Sequence, residues 1–535
     1  MKGLLQEYLA RGVERHCDDV ALVMGDERLT YHDLDAESNR LARMLKDVGC
    51  RRGDRICLLA PKTPAAIAAM LAALKADCAY VPIDTDSPAE RVQHVIRAAG
   101  PRVVLTSAAA TGLLDGLART GVLTSSTLLG SLEEHLSSEH YKSTFARSDW
   151  EQFDGGAPTA VNGEHDVAHI LFTSGSTGIP KGVVITHANV TSFVSWANAY
   201  FGMGRHDRWS GHPPLHFDLS TYDIYGTLAS GAQLHLVPAS LNLLPHKLAA
   251  FIRDSELTRW FSVPSILSYM VKFGAVGQDD FPTLEKLLWC GEVLPTPVLM
   301  ELMQRLPQVA FANLYGPTEA TIASSYHTVL QPPTNEAEDI PIGRACDGEE
   351  LLILDEQRRE VPTGQIGDLY ITGVGLSPGY WKDPHRTSEV FLEAPRSQDG
   401  ETRMYRTGDL ASWDDTGLAH FHGRADFQIK HRGYRIELGE IEAALNTLDG
   451  VRECAVVGVA TAGFEGTQIC CAYAPASHNV QVRMLRVRLR DRLPSYMIPA
   501  RWTEMELLPK NANGKVDRKV VKEWFEDEER RVRRD

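Results

Sequence analysis

The sequence predicts an α/β fold: a large N-terminal domain of mostly parallel sheets with covering helices plus a small β-rich region, and a small C-terminal α+β domain. Three observations carry this. Strand and helix patterns alternate through the opening third, as they do where a parallel sheet is covered by helices. The 535 residues exceed what a single core usually holds. The alternation restarts after Gly423-Arg-Ala-Asp-Phe-Gln-Ile-Lys430. The remaining unit has about 100 residues, an ordinary domain size.

In order, Leu29 to Leu34 leads into a helix with Leu41, Met44 and Leu45 on one face, followed by a strand at Arg55–Leu59. An Ala/Leu-rich helix at Ala65–Leu74, a strand at Ala79–Ile83, a helix at Arg91–Ala99 and a strand at Arg102–Thr106 continue the pattern. Residues 125–163 are polar and poorly periodic and are expected to be variable surface. Phe193, Trp196 and Tyr200 share a helical face and are expected in the core. Trp260–Val263, Leu287–Cys290, Phe311–Tyr315 and Gly367–Gly373 read as strands, and Asp414-Asp-Thr-Gly417 as a hairpin turn. Beyond residue 430 the pattern is helix Leu438–Leu445, strands Val451–Val459 and Gln468–Ala474, and helix Val482–Leu493.

Bulk properties exclude several classes. Hydrophobic residues make up 43% and charged residues 23%, as in an ordinary soluble domain. A net charge of −15 with no basic run argues against nucleic-acid binding. The nine cysteines lack Cys-x-x-Cys spacing, so reduced thiols and a cytoplasmic location are expected rather than disulfides or a zinc site. No apolar run reaches about 18 residues, so no membrane association is expected.

The chemistry concentrates in Leu171-Phe-Thr-Ser-Gly-Ser-Thr-Gly-Ile-Pro-Lys-Gly182. Apolar Ala168–Phe172 and Val183–Thr186 read as strands around a run of small, hydroxylated residues. Gly175 and Gly178 let the backbone approach an anion, while Thr173, Ser174, Ser176 and Thr177 offer hydroxyl donors and Lys181 a cation. A Walker loop places its Lys directly after the last Gly; here Ile179-Pro180 intervene, so this is another kind of phosphate loop. On residues alone, the reading stops at a phosphate- or nucleotide-binding α/β enzyme.

Residues Thr173–Gly182, Tyr315-Gly-Pro-Thr-Glu319, Tyr405-Arg-Thr-Gly-Asp409, Gly423-Arg424 and Asn513-Gly-Lys515 together resemble, in order and over nearly the whole chain, the adenylate-forming superfamily. That family includes acyl-CoA synthetases, luciferases and adenylation domains of nonribosomal peptide synthetases. The resemblance implies a large domain over 1–424, a hinge at 425–430 and a small mobile domain over 431–535. It implies ATP and Mg²⁺ as cofactors. The nucleotide would be held by Thr173, Ser174, Gly175, Ser176, Thr177, Gly178, Tyr315, Gly316, Thr318, Asp409 and Arg424. Tyr315 would stack, Asp409 would accept from the ribose hydroxyls and Glu319 would hold the metal. Lys515, Arg424 and Lys181 would be catalytic, with Lys515 bridging carboxylate and α-phosphate and Lys181 holding the pyrophosphate.

Similarity is nearest to amino-acid-activating members. By that resemblance the substrate pocket maps to Asp218, Leu219, Tyr222, Ser262, Leu288, Cys290, Leu314, Ile322 and Ala323, closed by Lys515. Asp218 could instead simply cap the helix directly after it. As the one acid in an apolar set it would pair with an α-ammonium. The bulky lining favours a small neutral α-amino acid, with alanine first, then proline, valine or cysteine. The chain runs only 20 residues past Lys515, so a stand-alone enzyme is expected, loading the phosphopantetheine thiol of a separate acyl or peptidyl carrier protein in natural-product biosynthesis. Two alternatives stay open: a ligase using CoA or an amine as acceptor, and an inactive family member that binds or senses.

Overall fold

The structure of the protein is a computed structural model that describes residues 3–123, 127–175, 179–395, 402–461, 466–476, 480–510 and 516–532. Two mostly parallel sheets face each other across shared helices. The six-stranded sheet runs Leu128–Ser131, Val103–Thr106, Arg55–Leu59, Ala79–Pro82, Val167–Thr173, Lys181–Thr186; only its last pair is antiparallel. The nine-stranded sheet has a parallel centre, Ala310–Tyr315, Lys286–Cys290, Arg259–Ser262, Arg208–Gly211, Gln233–Leu236, Val20–Met24. Antiparallel strands lie at both its edges.

Helices Tyr31–Asp47, Pro64–Lys75, His187–Phe201 and Leu219–Ser230 contribute to one core shared by both sheets. Pro64–Lys75 is buried on nearly every side, which its Ala-rich composition permits. Leu219–Ser230 is likewise buried from Leu219 to Leu228 and stops at Gly231, whose φ of 74° is the left-handed conformation that glycine adopts without strain. A five-stranded antiparallel sheet, with Gly367–Gly373 and Arg403–Trp413 at its centre and Glu349–Leu354 at one edge, forms the β-rich region and keeps its own small cores. Trp413 pairs with Ala419 across the Asp414 turn.

The cores formed by residues 429–525 share no buried member with those before them. They assemble on the strands Val451–Ala460, Thr467–Pro475 and Arg501–Glu504, covered by Leu438–Asn446, Val482–Arg490 and Arg518–Val532. Between the β-rich region and this unit stands a separate hairpin, Gln428–His431 paired with Tyr434–Glu437.

Three expectations need correction. Residues 125–163 are more than surface: Leu128–Ser131 forms a sheet edge, and Phe145 and Trp150 are fully buried in the main core. Isolated aromatics anchor that segment, a signal periodicity does not register. Phe193 and Trp196 are buried, but Tyr200 is 44% exposed and stacks on Trp196 from outside. The helix expected to reach Leu493 ends at Arg490, because Pro494 disfavours helical backbone at the residue before it. Among the described residues, no helix is long and apolar enough to cross a membrane.

Candidate active site

The site forms where the carboxyl ends of the nine-stranded sheet meet the phosphate-loop hairpin, the usual ligand position in open α/β sheets. Strands Val167–Thr173 and Lys181–Thr186 pair with Thr173 opposite Lys181, bringing the two ends of the loop together. At Gly175 a Cβ would stand 2.2 Å from the Ile179 carbonyl oxygen, so only glycine fits. Ser176, Thr177, Gly178 and Lys515 lie outside the described residues.

Glu319 is the electrostatic centre. It is fully buried, and its Oε1 accepts from Lys181 Nζ at 3.1 Å and Tyr380 Oη at 2.8 Å. Its Oε2 accepts from Arg435 Nη1 at 2.5 Å. Burial alone would raise the carboxyl pKa, but Arg435 and Lys181 outweigh it and hold the group well below the usual carboxylate range. Burial depresses the Lys181 ammonium, with Glu319 opposing. Arg435 also lies 3.3 Å from Tyr405 Oη, and its backbone carbonyl accepts from Ser174 Oγ at 2.5 Å.

Asp409 sits opposite. Tyr315 Oη donates to its Oδ2, and Arg424 Nη1 to its Oδ1 at 2.5 Å. Arg424 reaches on to Asp426 with two hydrogen bonds of 2.6–2.7 Å, linking the β-rich sheet to the segment before the hairpin. Tyr315, Asp409 and Phe421 line a cleft of about 740 Å³. Gly316 has a packing reason of its own: a Cβ there would come within 2.6 Å of the Ala323 backbone.

Leu219, Tyr222, Ser262, Leu288, Cys290, Leu314, Ile322 and Ala323 are all buried and converge near the start of helix Leu219–Ser230. Burial pushes the Cys290 thiol up to about 12, which keeps it neutral. Ile322 has φ 72°, a conformation that β-branched residues avoid. Its preceding Thr321, at φ 56°, is tied by its hydroxyl to the Gly375 carbonyl at 2.6 Å. Backbone strain is thus held in the turn that presents the pocket wall.

Asp218 occupies the N-cap position but makes no side-chain cap bond. Its Oδ2 instead accepts from Thr318 Oγ1 at 2.7 Å, so that hydroxyl faces the acid rather than open space. Burial raises the Asp218 pKa, with the Thr318 bond and the nearby Lys430 opposing. The loop before it is gripped by buried Lys62, which donates to the carbonyls of Gly211, His212 and Pro213. Burial lowers Lys62 to about 7, against the attraction of Asp223.

Sequence reasoning missed the residues the hairpin supplies. Lys430 and Arg435 are directly opposite each other in it and therefore share a face. Lys430 lies 5.5 Å over the Tyr315 ring, while Arg435 reaches Glu319. Gly433 N donates to Glu292 Oε1 at 2.8 Å, and a Cβ on Gly433 would come 2.8 Å from Val263. Tyr434 meets Phe217, beside Asp218, edge-on at 4.8 Å. The cation-rich run Lys430-His-Arg-Gly-Tyr-Arg435 was the available signal. Tyr380 and Tyr405 carried none beyond their place in aromatic turns.

A model described as "AMP-binding enzyme" matches residues 9–381, and one described as "AMP-binding enzyme C-terminal domain" matches 440–515. An L-proline–[L-prolyl-carrier protein] ligase of Streptomyces coelicolor is 34% identical over 504 residues, covering 92% of each chain. Tyrocidine synthase 3 of Brevibacillus parabrevis is 35% identical over 97% of this chain, which spans only 8% of that synthase's length. The structure of the Vibrio cholerae adenylation domain AlmE in complex with glycyl-adenosine-5′-phosphate superposes with a TM-score of 0.82 at 25% identity, covering 98% of each chain.

Proposed function

This chain belongs to the AMP-binding enzyme family, the ATP-dependent adenylate-forming ligases, and from that premise we propose that it activates a small neutral α-amino acid and passes it to the phosphopantetheine thiol of a carrier protein. The observation that carries the amino-acid reading is Asp218: it stands at a helix start without a side-chain cap bond, beside buried apolar residues, and its Oδ2 accepts from a Thr318 hydroxyl that a substrate ammonium can replace. A buried carboxylate of this kind needs a cationic partner. The strained Ile322 and the bulky Leu219, Tyr222, Leu288 and Leu314 favour a small side chain, alanine first, then proline, valine or cysteine. The proline and glycyl groups named for two relatives are also small.

In the first half-reaction a substrate carboxylate oxygen attacks the α-phosphorus of ATP, the α–β bridging bond breaks and pyrophosphate leaves. The nucleoside would lie in the Tyr315–Asp409 cleft, its ribose hydroxyls donating to Asp409. Mg²⁺ suits the hard oxygens of Glu319. Among the described residues no group of three or more acids, His or Cys could hold a metal alone, so phosphate and water oxygens would complete its shell. The metal would neutralise phosphate charge; Lys181 would hold the pyrophosphate end and Lys515 the reacting carboxylate and α-phosphate.

In the second half-reaction the carrier thiolate attacks the adenylate carbonyl and AMP leaves. The hairpin contacts at Glu319 and Glu292 support reading this arrangement as the one for thiol transfer. The unit at 431–535 would then pivot about 425–430 relative to 1–424 to bring Lys515 in.

The test is ATP–pyrophosphate exchange over a panel of amino acids and their des-amino acids, then loading of a phosphopantetheinylated carrier. Exchange led by a small neutral amino acid, with thioester on the carrier, is expected. Exchange led by an aryl or fatty acid, or efficient acyl-CoA formation without carrier loading, would displace the reading.

A further inference from the structure

A second cleft, of about 470 Å³, adjoins the Glu319 cluster and shares Arg424, Ala425, Asp426, Phe427, Gln428 and Arg518 with the Tyr315–Asp409 cleft. It begins at Gly175 and Lys181 on the phosphate loop. Helix Pro384–Val390, strand Arg403–Trp413, the hairpin and helix Arg518–Val532 contribute its walls. Among the described residues six cations line it: Lys181, Arg386, Arg406, Arg424, Arg435 and Arg518. Three acids, Glu389, Asp426 and Glu437, stand among them, and Glu319, Asp409 and Glu442 behind the wall pair with four of the six cations.

The cations divide by position. Arg424 is held by Asp409 and Asp426, Lys181 and Arg435 share Glu319, and Arg518 is held by Glu442, so these four are already paired within the protein. Arg386 and Arg406 take the outer wall. Arg386 Nε lies 3.5 Å from Asp383, and its Nη1 stands 3.7 Å from where a Cβ on Gly175 would be. Its guanidinium therefore lies against the phosphate loop. Arg406 is exposed along the same wall. The Tyr380 ring, with Lys181 Nζ 4.8 Å from its centroid, separates this wall from Glu319.

We propose that this cleft is a subsite for inorganic pyrophosphate, which Arg386 and Arg406 receive from the phosphate loop once it has been cleaved from the nucleotide; the subsite presupposes the adenylation reading. Pyrophosphate is small and carries several negative charges on oxygens that match guanidinium geometry. Drawing it away from Lys181 separates it from the adenylate it would otherwise attack in reverse.

Calorimetric titration of the full chain with magnesium pyrophosphate tests the proposal, with AMP titrated in parallel. R386A and R406A should each weaken pyrophosphate binding about tenfold, and the double variant more. R386K and R406K should recover part of the loss, and AMP affinity should stay within about twofold of the parent. Pyrophosphate binding by R386A/R406A as tight as the parent's would overturn the subsite. So would an equal loss of AMP affinity, which would put both arginines in the nucleotide site. Exchange activity separates the two readings. A parent that binds pyrophosphate through these arginines but exchanges with no carboxylate would sink the adenylation reading and leave the subsite standing.

Discussion

The two halves of the site are built on opposite principles. On the nucleotide side, charged groups are buried in mutual contact: Glu319 with Lys181 and Arg435, Asp409 with Arg424. On the amino-acid side, apolar walls surround a single acid whose partner is a hydroxyl. The first half is satisfied within the protein, so under the proposed reading its pairs would exchange partners when MgATP enters. The second sets a lone acid among apolar side chains, with Lys430 near enough to oppose the rise in its pKa, and under the proposed reading would take a substrate ammonium. Ligand charge thus enters the first half by competition and the second by complementation. The fully paired half should tolerate an empty state better than a half-broken one, because a buried charge left without its partner costs more than the intact pair.

The largest effect expected from this contrast is at Lys515, which we assign to the nucleotide half. K515A should lower adenylate formation on the order of 10³-fold, as removing a group that stabilises transition-state charge does. Thiol transfer from chemically supplied aminoacyl-adenylate should persist. Single-turnover assays of each half-reaction check this; equal loss of both would refute a division of labour between two arrangements.

Next comes Asp218. An α-ammonium has a reference pKa near 8 and is mostly charged at pH 7. Leaving it unpaired in the pocket costs roughly 3–5 kcal/mol, or on the order of 10²- to 10³-fold in kcat/KM. D218A should lose that much for the amino acid while ATP affinity stays near the parent's. If D218A retains activation, or if the parent prefers the des-amino acid, the complementation account is wrong.

The smallest effect concerns what supports Glu319 from behind. Ser377 N donates to the Glu319 carbonyl, and the same loop receives Glu349, whose Oε1 accepts from Gly375 N. Glu349 Oε2 is buried without a partner among the described residues. Burial raises this carboxyl from 4.5 to about 8, against the Gly375 bond. In that window the folded chain keeps a proton that the unfolded chain releases, so stability falls as pH rises from 4.5 to 8 and the loss is complete above it. E349Q should flatten this slope. Thermal unfolding at pH 5 and pH 8 should show the parent's Tm dropping a few degrees more than the variant's; parallel drops would mean that Glu349 is ionised throughout.

These contrasts also explain what could be read in advance. Tyr315, Thr318, Glu319, Asp409 and Arg424 were singled out through the family resemblance, and the structure brings Tyr315 and Arg424 together on Asp409. Leu288, Leu314 and Ile322 were not individually legible: apolar residues on buried strands look alike whether they face a ligand or the core, and only the family resemblance selected them. Asp218 was ambiguous between cap and ligand contact; in the structure it makes no side-chain cap bond and accepts from Thr318 instead. Arg435 and Lys430 went unread because their significance lies in whom they meet across more than 100 residues of chain.

By itself, then, the sequence determined the layered α/β plan and the hairpin around Thr173 and Lys181, and through its resemblance the adenylate-forming class. Periodicity, glycine placement and charged residue type are local properties. Tertiary structure alone decided that Arg435 shares Glu319 with Lys181, that Thr318 turns to Asp218, and that Thr321 and Ile322 are held at positive φ. It also decided that Leu128–Ser131 and Trp150 belong to the main body. Each of these depends on burial and on the distance between segments remote in sequence. Those quantities exist only once the sheets have packed and the desolvated charges have found their partners.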